Sequence, residues 1–285
     1  MKRILSILLC LILIGSMLTL ASCDETTVPS NDETTENTDD SNNPSSSGGK
    51  TPKEGVDVLN GKTPKELYEA AIEKVSAMTN YELITNQVID MTYQNQSLPT
   101  VNQVVISKLN GQEQYVKSTN DADASANMEI WYVNDWLYTT MGGSSVKANI
   151  TWQQMQDNFM PEGASGSGLL MNIPESWFKN IRFEKDGELY FIEFTVSGED
   201  YLKYMQSTAL GDMIKDATDV TYIVYFDANG ELGDIITKCD YVVTESGYTI
   251  NCHLESTSTL SNVGNVTITA PEGNFIDVTG NMNLK

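Results

Sequence analysis

Few residues in this 285-residue chain could do chemistry, and two cysteines near its end have the clearest spacing. Cys239 and Cys252 lie in consecutive predicted strands, and the period-two alternation puts both on the apolar side. A tight turn joins the strands, which must therefore be antiparallel. A turn centred between Glu245 and Ser246 sets the two sulfurs directly opposite each other, where a disulfide can form outside the cytoplasm. A turn shifted by one residue instead leaves two buried thiols one register step apart, and the sequence leaves both arrangements open.

Other candidate reactive groups lack the neighbours that catalysis or metal binding needs. His253 is the single histidine and alternates to the polar face of its strand, without a recognisable nucleophile or further ligands. The Asp227-Ala228-Asn229-Gly230 segment begins like a calcium loop but lacks the later ligands, so it predicts a hairpin turn. The glycine-rich stretch 163–168 lacks the Gly-Lys-Ser/Thr of a phosphate-binding loop. We therefore predict that the protein is not an enzyme, with no catalytic residue, metal or cofactor.

The first 22 residues have the composition of a cleaved secretory signal peptide. Lys2 and Arg3 precede an apolar run over residues 4–14, which is shorter than the ~20 residues that a bilayer span needs. Leu20-Ala21-Ser22-Cys23 follows and resembles the lipobox of bacterial lipoproteins. The alternative is an ordinary signal peptide followed by a stray cysteine.

The lipobox resemblance implies a location as well as a modification. It implies that the thiol of Cys23 receives a diacylglyceryl group and that the new amino terminus can be acylated, with palmitate as an expected chain. Two or three acyl chains hold a protein on a membrane far more firmly than one. The resemblance thus implies a protein anchored by its N-terminal lipid at the outer, extracellular face of a bacterial cytoplasmic membrane.

An acidic stalk is predicted at 23–61, because its Ser, Thr, Asn, Asp and Glu residues cannot bury enough apolar surface to offset the entropy of ordering. The whole chain has 17 Lys and Arg against 39 Asp and Glu, a net charge of -22. This charge disfavours nucleic acid as a partner. The remaining residues, 62–285, predict one domain, and we expect a monomer.

The pattern of residues 62–285 predicts an α+β fold. Thr63-Pro64-Lys65-Glu66 has the signature of a helix start, with a cap, a proline and a capping-box glutamate. About eleven strands follow, joined by short turns such as Asn110-Gly111 and Asn229-Gly230. The predicted strands are 81–93, 101–109, 112–119, 128–133, 136–141, 180–185, 189–196, 219–226, 231–243, 247–258 and 265–270. Short turns make consecutive strands antiparallel, and a sheet of this size curls.

The order of these elements resembles the LolA-like carriers and the LppX-type half-barrel lipoproteins, including Gram-positive surface lipoproteins of this shape. The resemblance is carried by the lipobox at Cys23, the helix over 63–78 that leads into a long strand, and the closing strands from Tyr222 to Pro271. It implies a strongly curved antiparallel sheet, a half-barrel, with helices on its concave face. It further implies a trough that binds a hydrophobic or acylated ligand.

Two helical patches interrupt the predicted strands, a short helix that starts near Thr151 and a longer one that begins near Gly198-Glu199-Asp200. Methionines and aromatic residues are concentrated in this predicted helical insert and its surroundings, which suggests a deformable lid over a lipid-sized cavity. The candidate pocket residues are Trp152, Met155, Phe159, Met171, Trp177, Phe178, Met205 and Met213. The alternative is that these side chains simply form the packed core between helices and sheet.

Two functions follow from the sequence. The leading hypothesis is a cell-surface lipoprotein that binds a hydrophobic or acylated ligand and handles envelope lipids or lipoproteins. The alternative is a non-enzymatic interaction module that binds another envelope protein or a wall polymer. A two-lobed solute receptor is disfavoured because the strand–helix alternation of parallel sheets is missing.

Overall fold

The structure, a computed structural model, describes residues 58–159, 179–206, 214–245 and 248–281. Its three described α-helices are α1 (Pro64–Ser76), α2 (Trp152–Phe159) and α3 (Gly198–Gln206). Its fourteen described strands are β1 (Asn80–Tyr93), β2 (Gln96–Ser97), β3 (Val101–Asn110), β4 (Glu113–Asn120), β5 (Met128–Val133), β6 (Trp136–Met141), β7 (Ser144–Asn149), β8 (Lys179–Asp186), β9 (Leu189–Val196), β10 (Ile214–Ala217), β11 (Val220–Phe226), β12 (Leu232–Glu245), β13 (Tyr248–Ser261) and β14 (Ile276–Asp277). None of the described helices is long and apolar enough to cross a bilayer.

Helix α1 begins as its sequence predicts. The backbone N–H of Thr63 donates to a carboxylate oxygen of Glu66 at 2.8 Å, and the N–H of Glu66 donates back to the Thr63 hydroxyl at 3.4 Å. The backbone and hydroxyl of Thr63 hold the pKa of the Glu66 carboxyl below its usual value. The capping box is therefore confirmed, and Pro64 occupies the first turn, where a missing N–H costs nothing. One face of α1 is buried and consists of Leu67, Tyr68, Ala71 and Val75.

The strands form one open sheet in the order β14-β7-β6-β5-β4-β3-β1-β13-β12-β11-β9-β8, with β2 added to β1 and β10 added to β12. All neighbours are antiparallel except the two-residue pair of β14 with β7. The two end strands, β14 and β8, do not pair with each other, so the sheet is not closed. The predicted α+β class with an open, antiparallel sheet is confirmed, but the described strands number fourteen rather than eleven.

The predicted strands differ from the observed ones mainly at short elements. Strands β2, β7, β10 and β14 were not predicted, because each is too short or too polar to show a clear alternation. The predicted strand 265–270 is wrong: Val266 and Ile268 alternate as in a strand, but their segment has no ladder partner in the part of the chain that the structure describes. Both residues are buried by packing against the side chains of Tyr115 and Trp131 instead.

The two faces of the sheet differ in what covers them. We call the face against which α1 packs the inner face. Tyr68 of α1 meets Phe194 of β9 edge-on at 5.4 Å, and Tyr201 of α3 hydrogen-bonds the thiol of Cys239 on β12. A large core joins α1 and α3 to the inner face of one part of the sheet. In sheet order this part runs β3-β1-β13-β12-β11-β9-β8. Gly198 starts α3 where a Cβ would overlap the carbonyl oxygen of Ala217.

The C-terminal segment, residues 262–281, crosses the opposite, outer face. The backbone of Val266 bonds both ways with the side chain of Asn80 at 2.8 Å, and Phe275 packs edge-on against Tyr138 at 5.2 Å. The chain then adds β14 alongside β7, where Ile276 pairs with Val146. This covers aromatic side chains of the outer face and shields the edge of β7, which is a common defence against edge-to-edge aggregation.

Removing the cap of α1 tests whether that helix depends on its local signal. We expect Thr63→Ala to lower the free energy of unfolding by about 1 kcal/mol, because an orphan N–H of the first turn loses its acceptor. Glu69→Ala is the control, since Glu69 makes only an exposed ion pair with Lys65 at 3.8 Å and its loss should cost less than about 0.5 kcal/mol. Urea unfolding followed by circular dichroism measures both. Equal effects of the two substitutions would contradict the capping role.

Candidate functional site

The middle of the inner face is polar, although it is buried. Eight uncharged polar side chains on four adjacent strands, β13, β1, β3 and β4, are each at most 9% exposed. We call this set the inner polar patch, and it consists of Thr85, Gln87, Gln103, Ser107, Ser118, Asn120, Ser256 and Ser258. The buried middle of a sheet normally carries Val, Ile or Leu, so this composition needs a physical explanation.

The strand register makes the patch continuous. Gln87 lies opposite Ser256 on one side and opposite Gln103 on the other, and Gln103 lies opposite Asn120. The next row of inner-face residues contains Thr85, which bonds the hydroxyl of Ser258 at 2.9 Å. A further bond links the rows, since the amide Nε2 of Gln103 donates to the hydroxyl of Ser118 at 2.7 Å.

The patch is only partly satisfied. The carboxamide oxygen of Asn120 accepts from the backbone N–H groups of Ala122 and Asp123, at 2.8 and 3.1 Å, so the orientation of this side chain is determined. Its Nδ2 and the hydroxyl oxygen of Ser107 are buried with no hydrogen-bond partner among the described residues. Each such group costs roughly 1–3 kcal/mol relative to a satisfied one. The patch therefore has unused hydrogen-bonding capacity at a cost to stability.

Charge is confined to the other side of the same strands. At the inner-face positions of β13, β1, β3 and β4 no described residue is Asp, Glu, Lys, Arg or His. On the outer face Lys108 meets Glu82 at 2.9 Å and Lys117 meets Glu129 at 3.1 Å. Burial alone would raise the pKa of Glu82, but hydrogen bonds from Lys108 and neighbouring residues outweigh it and lower that pKa.

Apolar surface borders the patch on both sides across the sheet. Towards β8 lie Ile192, Phe194 and Val224, all at most 1% exposed, and Phe194 stacks on Tyr222 at 5.3 Å. Towards β7 lies a smaller cluster of Tyr132, Ala148, Ile150 and Met155, with Trp152, Leu137 and Val278 packed against it. The arrangement combines a neutral hydrogen-bonding centre with apolar flanks, which suits an amphiphilic molecule better than a hydrophilic one.

The structure places two of the predicted pocket residues in this second cluster. Trp152 and Met155 lie in α2, and the ring of Trp152 is 5.4 Å from that of Tyr132. Phe159 and Met205 lie in helices α2 and α3. Four further candidates and the lipidation site lie outside the described residues: Met171, Trp177, Phe178, Met213 and Cys23. The lid formed by these residues stays a prediction.

The two cysteines share the inner face, as the alternation predicts, but they are not opposite each other. Cys239 lies opposite Leu254 and Cys252 opposite Tyr241, so the turn is centred one residue later than a direct pairing requires. Both are free, buried thiols, which is the second of the two arrangements that the sequence left open. Burial raises the pKa of each thiol to about 12. At neutral pH both are therefore protonated and poor nucleophiles.

His253 lies on the outer face, on the polar side of β13 as predicted. Its Nδ1 is 2.6 Å from Asp240, its cross-strand neighbour on β12, and its Nε2 is 3.7 Å from Glu255. The hydrogen bond with Asp240 is the main cause that raises the pKa of His253 above its ordinary value. This contact joins two strands and lies across the sheet from the thiols.

The inner polar patch is the feature that sequence reasoning missed. A signal was present, because Thr85 and Gln87 share the phase of Leu83 and Ile89 within one strong strand pattern. An apolar phase interrupted by polar residues in its middle indicates either an exposed stretch or a buried polar one. Only the pairing with Ser256 and Ser258 decides between the two.

Comparisons with known proteins give a likeness of structure only. No family model matches the chain, and no curated protein matches it either. Among solved structures it is similar to lipoprotein LppX of Mycobacterium tuberculosis, with 8% identity, a TM-score of 0.36 and coverage of 73% of this chain and 100% of that one. It is also similar to a LolA superfamily protein of Nitrosomonas europaea, with 11% identity, a TM-score of 0.24 and coverage of 71% and 94%.

A DUF1329 family protein of Desulfovibrio piger is a third similar structure, at 12% identity and a TM-score of 0.23, with coverage of 72% of this chain and 94% of that one. The first two belong to the groups that the sequence resemblance named. TM-scores below 0.5 carry no argument about function, so the functional argument rests on the geometry of this chain.

The pairing of His253 with Asp240 gives a pH-dependent prediction. A histidine whose pKa is raised in the folded state stabilises the fold fully below its unfolded pKa of about 6.5, and this contribution is lost as the pH rises through the folded value. The effect is small, because the two side chains are 46% and 59% exposed. NMR titration of the single imidazole should give a pKa above 6.5.

Asp240→Asn should move that imidazole pKa back towards 6.5, because the main charged partner is removed. Asp216→Asn is the control, since it removes the same charge from an exposed position on β10. An imidazole pKa at or below 6.5 in the unmodified protein would show that the pairing is absent in solution.

Proposed function

We propose that this protein is a non-enzymatic, lipid-anchored lipoprotein that holds a hydrophobic or acylated ligand against the inner face of its sheet. The observation that carries the proposal is the inner polar patch, a buried and partly unsatisfied set of neutral groups between two apolar regions. A core built for stability alone would place apolar side chains there. A bound amphiphile would supply partners to the unused hydrogen-bonding groups, and it would have to displace the protein atoms that bury them here.

The proposed ligand site is a trough. Strands in a sheet are rotated relative to one another by about 20–25°, and open sheets of more than about ten strands curl, split or flatten. A fourteen-stranded open sheet that curls towards α1 becomes a half-barrel with its helices on the concave side. The inner polar patch, on the strands in the middle of the sheet, would then lie at the bottom of the trough.

Several features support a binding protein over an enzyme. The buried thiols of Cys239 and Cys252 have pKa values of about 12, which keeps them in the unreactive protonated form. The only histidine lies on the outer face and pairs with a carboxylate of the neighbouring strand. The proposal therefore includes handling of lipids or lipoproteins at the envelope, without a chemical step.

Photocrosslinking tests the ligand site directly. The full chain is expressed in a bacterial host fed with a fatty acid that carries a photoactivatable diazirine, and the purified protein is irradiated and digested. We expect lipid adducts in peptides at inner-face residues of β1, β3 and β13. Adducts restricted to the N-terminal anchor peptide, together with organic extracts free of a further amphiphile, would contradict the proposal and favour the interaction module.

Neighbouring valines on β3 provide a matched pair of substitutions. Val105 lies on the inner face and is 1% exposed, and Val104 lies on the outer face of the same strand. We expect Val105→Phe to fold and to lose lipid adducts, because the added ring occupies ligand space, whereas Val104→Phe keeps them. If the inner face is a closely packed core, Val105→Phe instead lowers the unfolding free energy by about 1–3 kcal/mol through overpacking, and this outcome counts against a trough.

The lipid anchor has its own test. Cys23→Ser removes the thiol that the lipobox resemblance marks for lipidation, so we expect the protein to lose incorporation of labelled palmitate and to move from the membrane fraction to the medium. Cys10→Ser is the control, because Cys10 lies in the apolar run of the signal. Membrane association and label incorporation that survive Cys23→Ser would refute lipidation at this residue.

A further inference from the structure

We infer that the ligand is a neutral lipid with an ester or amide linkage near the middle of the molecule, of the class of diacylglycerol, rather than a lipid with an anionic headgroup. The inference rests on the proposed function and specifies the ligand class of that same site. Three observations lead to it: the absence of charge, the type of unused hydrogen-bonding groups, and the place of the patch along the strands.

The lack of charge excludes an anionic group at the patch. A phosphate or carboxylate transferred to a buried site without a cation loses its hydration and is not compensated. At the inner-face positions of the four patch strands, no described residue can supply a positive charge. The lysines of β3 and β4, Lys108 and Lys117, point to the outer face and already pair with carboxylates. The net charge of -22 adds further repulsion against an anion.

The unused groups match a carbonyl acceptor. The carboxamide oxygen of Asn120 is held by two backbone N–H groups, so the unpartnered atom of this side chain is its Nδ2, which can only donate. The hydroxyl of Ser107 can donate or accept, and it too is buried without a partner among the described residues. Ester and amide linkages offer carbonyl oxygens without carrying charge. A wholly apolar hydrocarbon would leave both groups unsatisfied.

The place of the patch along the strands indicates where the linkage lies in the ligand. On β1 the inner-face sequence runs from apolar Tyr81 and Leu83 through Thr85 and Gln87 to apolar Ile89. On β1 and β13 the polar stretch extends about two inner-face positions, roughly 7 Å, with apolar residues at both ends, whereas on β4 it reaches the last residue of the strand, Asn120. A headgroup at one end of a lipid would need a polar site at a rim. A linkage with chains extending in both directions matches a polar middle with apolar ends.

Competition with lipids of equal chains tests the inference. The full chain in detergent micelles is crosslinked to a diazirine-labelled diacylglycerol, and unlabelled dioleoylglycerol, dioleoylphosphatidylglycerol and oleic acid are added as competitors. We expect dioleoylglycerol to displace the probe at a concentration at least about ten-fold lower than dioleoylphosphatidylglycerol, because of these two lipids with equal chains only the second must bury an unpaired charge.

Two substitutions locate the effect in the patch. Asn120→Asp keeps the oxygen that accepts the two backbone N–H groups but replaces the donor with a negative charge, so we expect about ten-fold weaker crosslinking to diacylglycerol. Asn86→Asp is its control, since it makes the same change at an exposed outer-face position of β1. Ser107→Ala should weaken crosslinking while leaving the melting temperature of the unloaded protein unchanged or higher, which a merely structural hydroxyl would not do.

The outcomes separate the inference from the function on which it rests. Equal or stronger competition by dioleoylphosphatidylglycerol or oleic acid overturns the neutral-ligand inference and leaves lipid binding intact. Full crosslinking in both Asn120→Asp and Ser107→Ala also overturns it, because the polar patch would then not contact the ligand. Failure of all three lipids to compete, with no inner-face adducts, refutes the proposed function itself.

Discussion

The pairing of β1 with β13 is the constraint on which the rest of the structure depends. The two strands are paired from Glu82–Ser261 to Thr92–Asn251, although about 170 residues separate the partners at the centre of this ladder. Strand β1 leads on to β3 and the half of the sheet that ends at β14, while β13 closes the half that ends at β8. This one ladder therefore joins two halves into a single sheet and makes one inner face out of both.

The same register decides which residues face inwards. Side chains of a strand alternate between faces, so a slip by one residue would turn the neutral patch outwards and bring charged residues in. In the observed register Thr85 and Gln87 meet Ser258 and Ser256 on the inner face, while Asp90 meets His253 on the outer one. The ion pairs of the outer face act against a slip, because a buried carboxylate or lysine without a partner is costly. The separation of charge from neutral polarity is thus a property of pairing as much as of composition.

Part of the outer face is covered by the chain's own C-terminal segment. The C-terminal segment packs Val266 and Ile268 onto Tyr115 and Trp131 of the outer face, and Phe275 onto Tyr138. It then pairs with β7 and brings Val278 against the small inner cluster that contains Met155. One chain segment therefore covers outer aromatic residues, shields an edge and contributes to the apolar flank of the proposed site. Among the described residues, the inner polar patch is a buried surface that is polar where apolar side chains are usual.

The sequence by itself determined the features that depend on near neighbours in the chain. The capping box of α1, the start of α3 at Gly198, most long strands and the antiparallel order all follow from local spacing, and the structure confirms them. Likewise, the alternation put both cysteines on the inner face and His253 on the outer one. These signals are readable because helix capping, strand alternation and turn chemistry act over a few residues.

Tertiary structure alone decided the features that depend on distant partners. Segments β7 and β14 are strands because their short sequences pair with a neighbouring edge of the sheet. Residues 265–270 alternate like a strand but do not pair with any described strand. The tertiary structure set Cys239 opposite Leu254 by a one-residue shift that no local pattern determines. It also buried Thr85, Gln87 and Ser258 side by side, which turned scattered polar residues into one continuous buried patch. Burial and register are non-local quantities, because they depend on which strand comes to lie beside another.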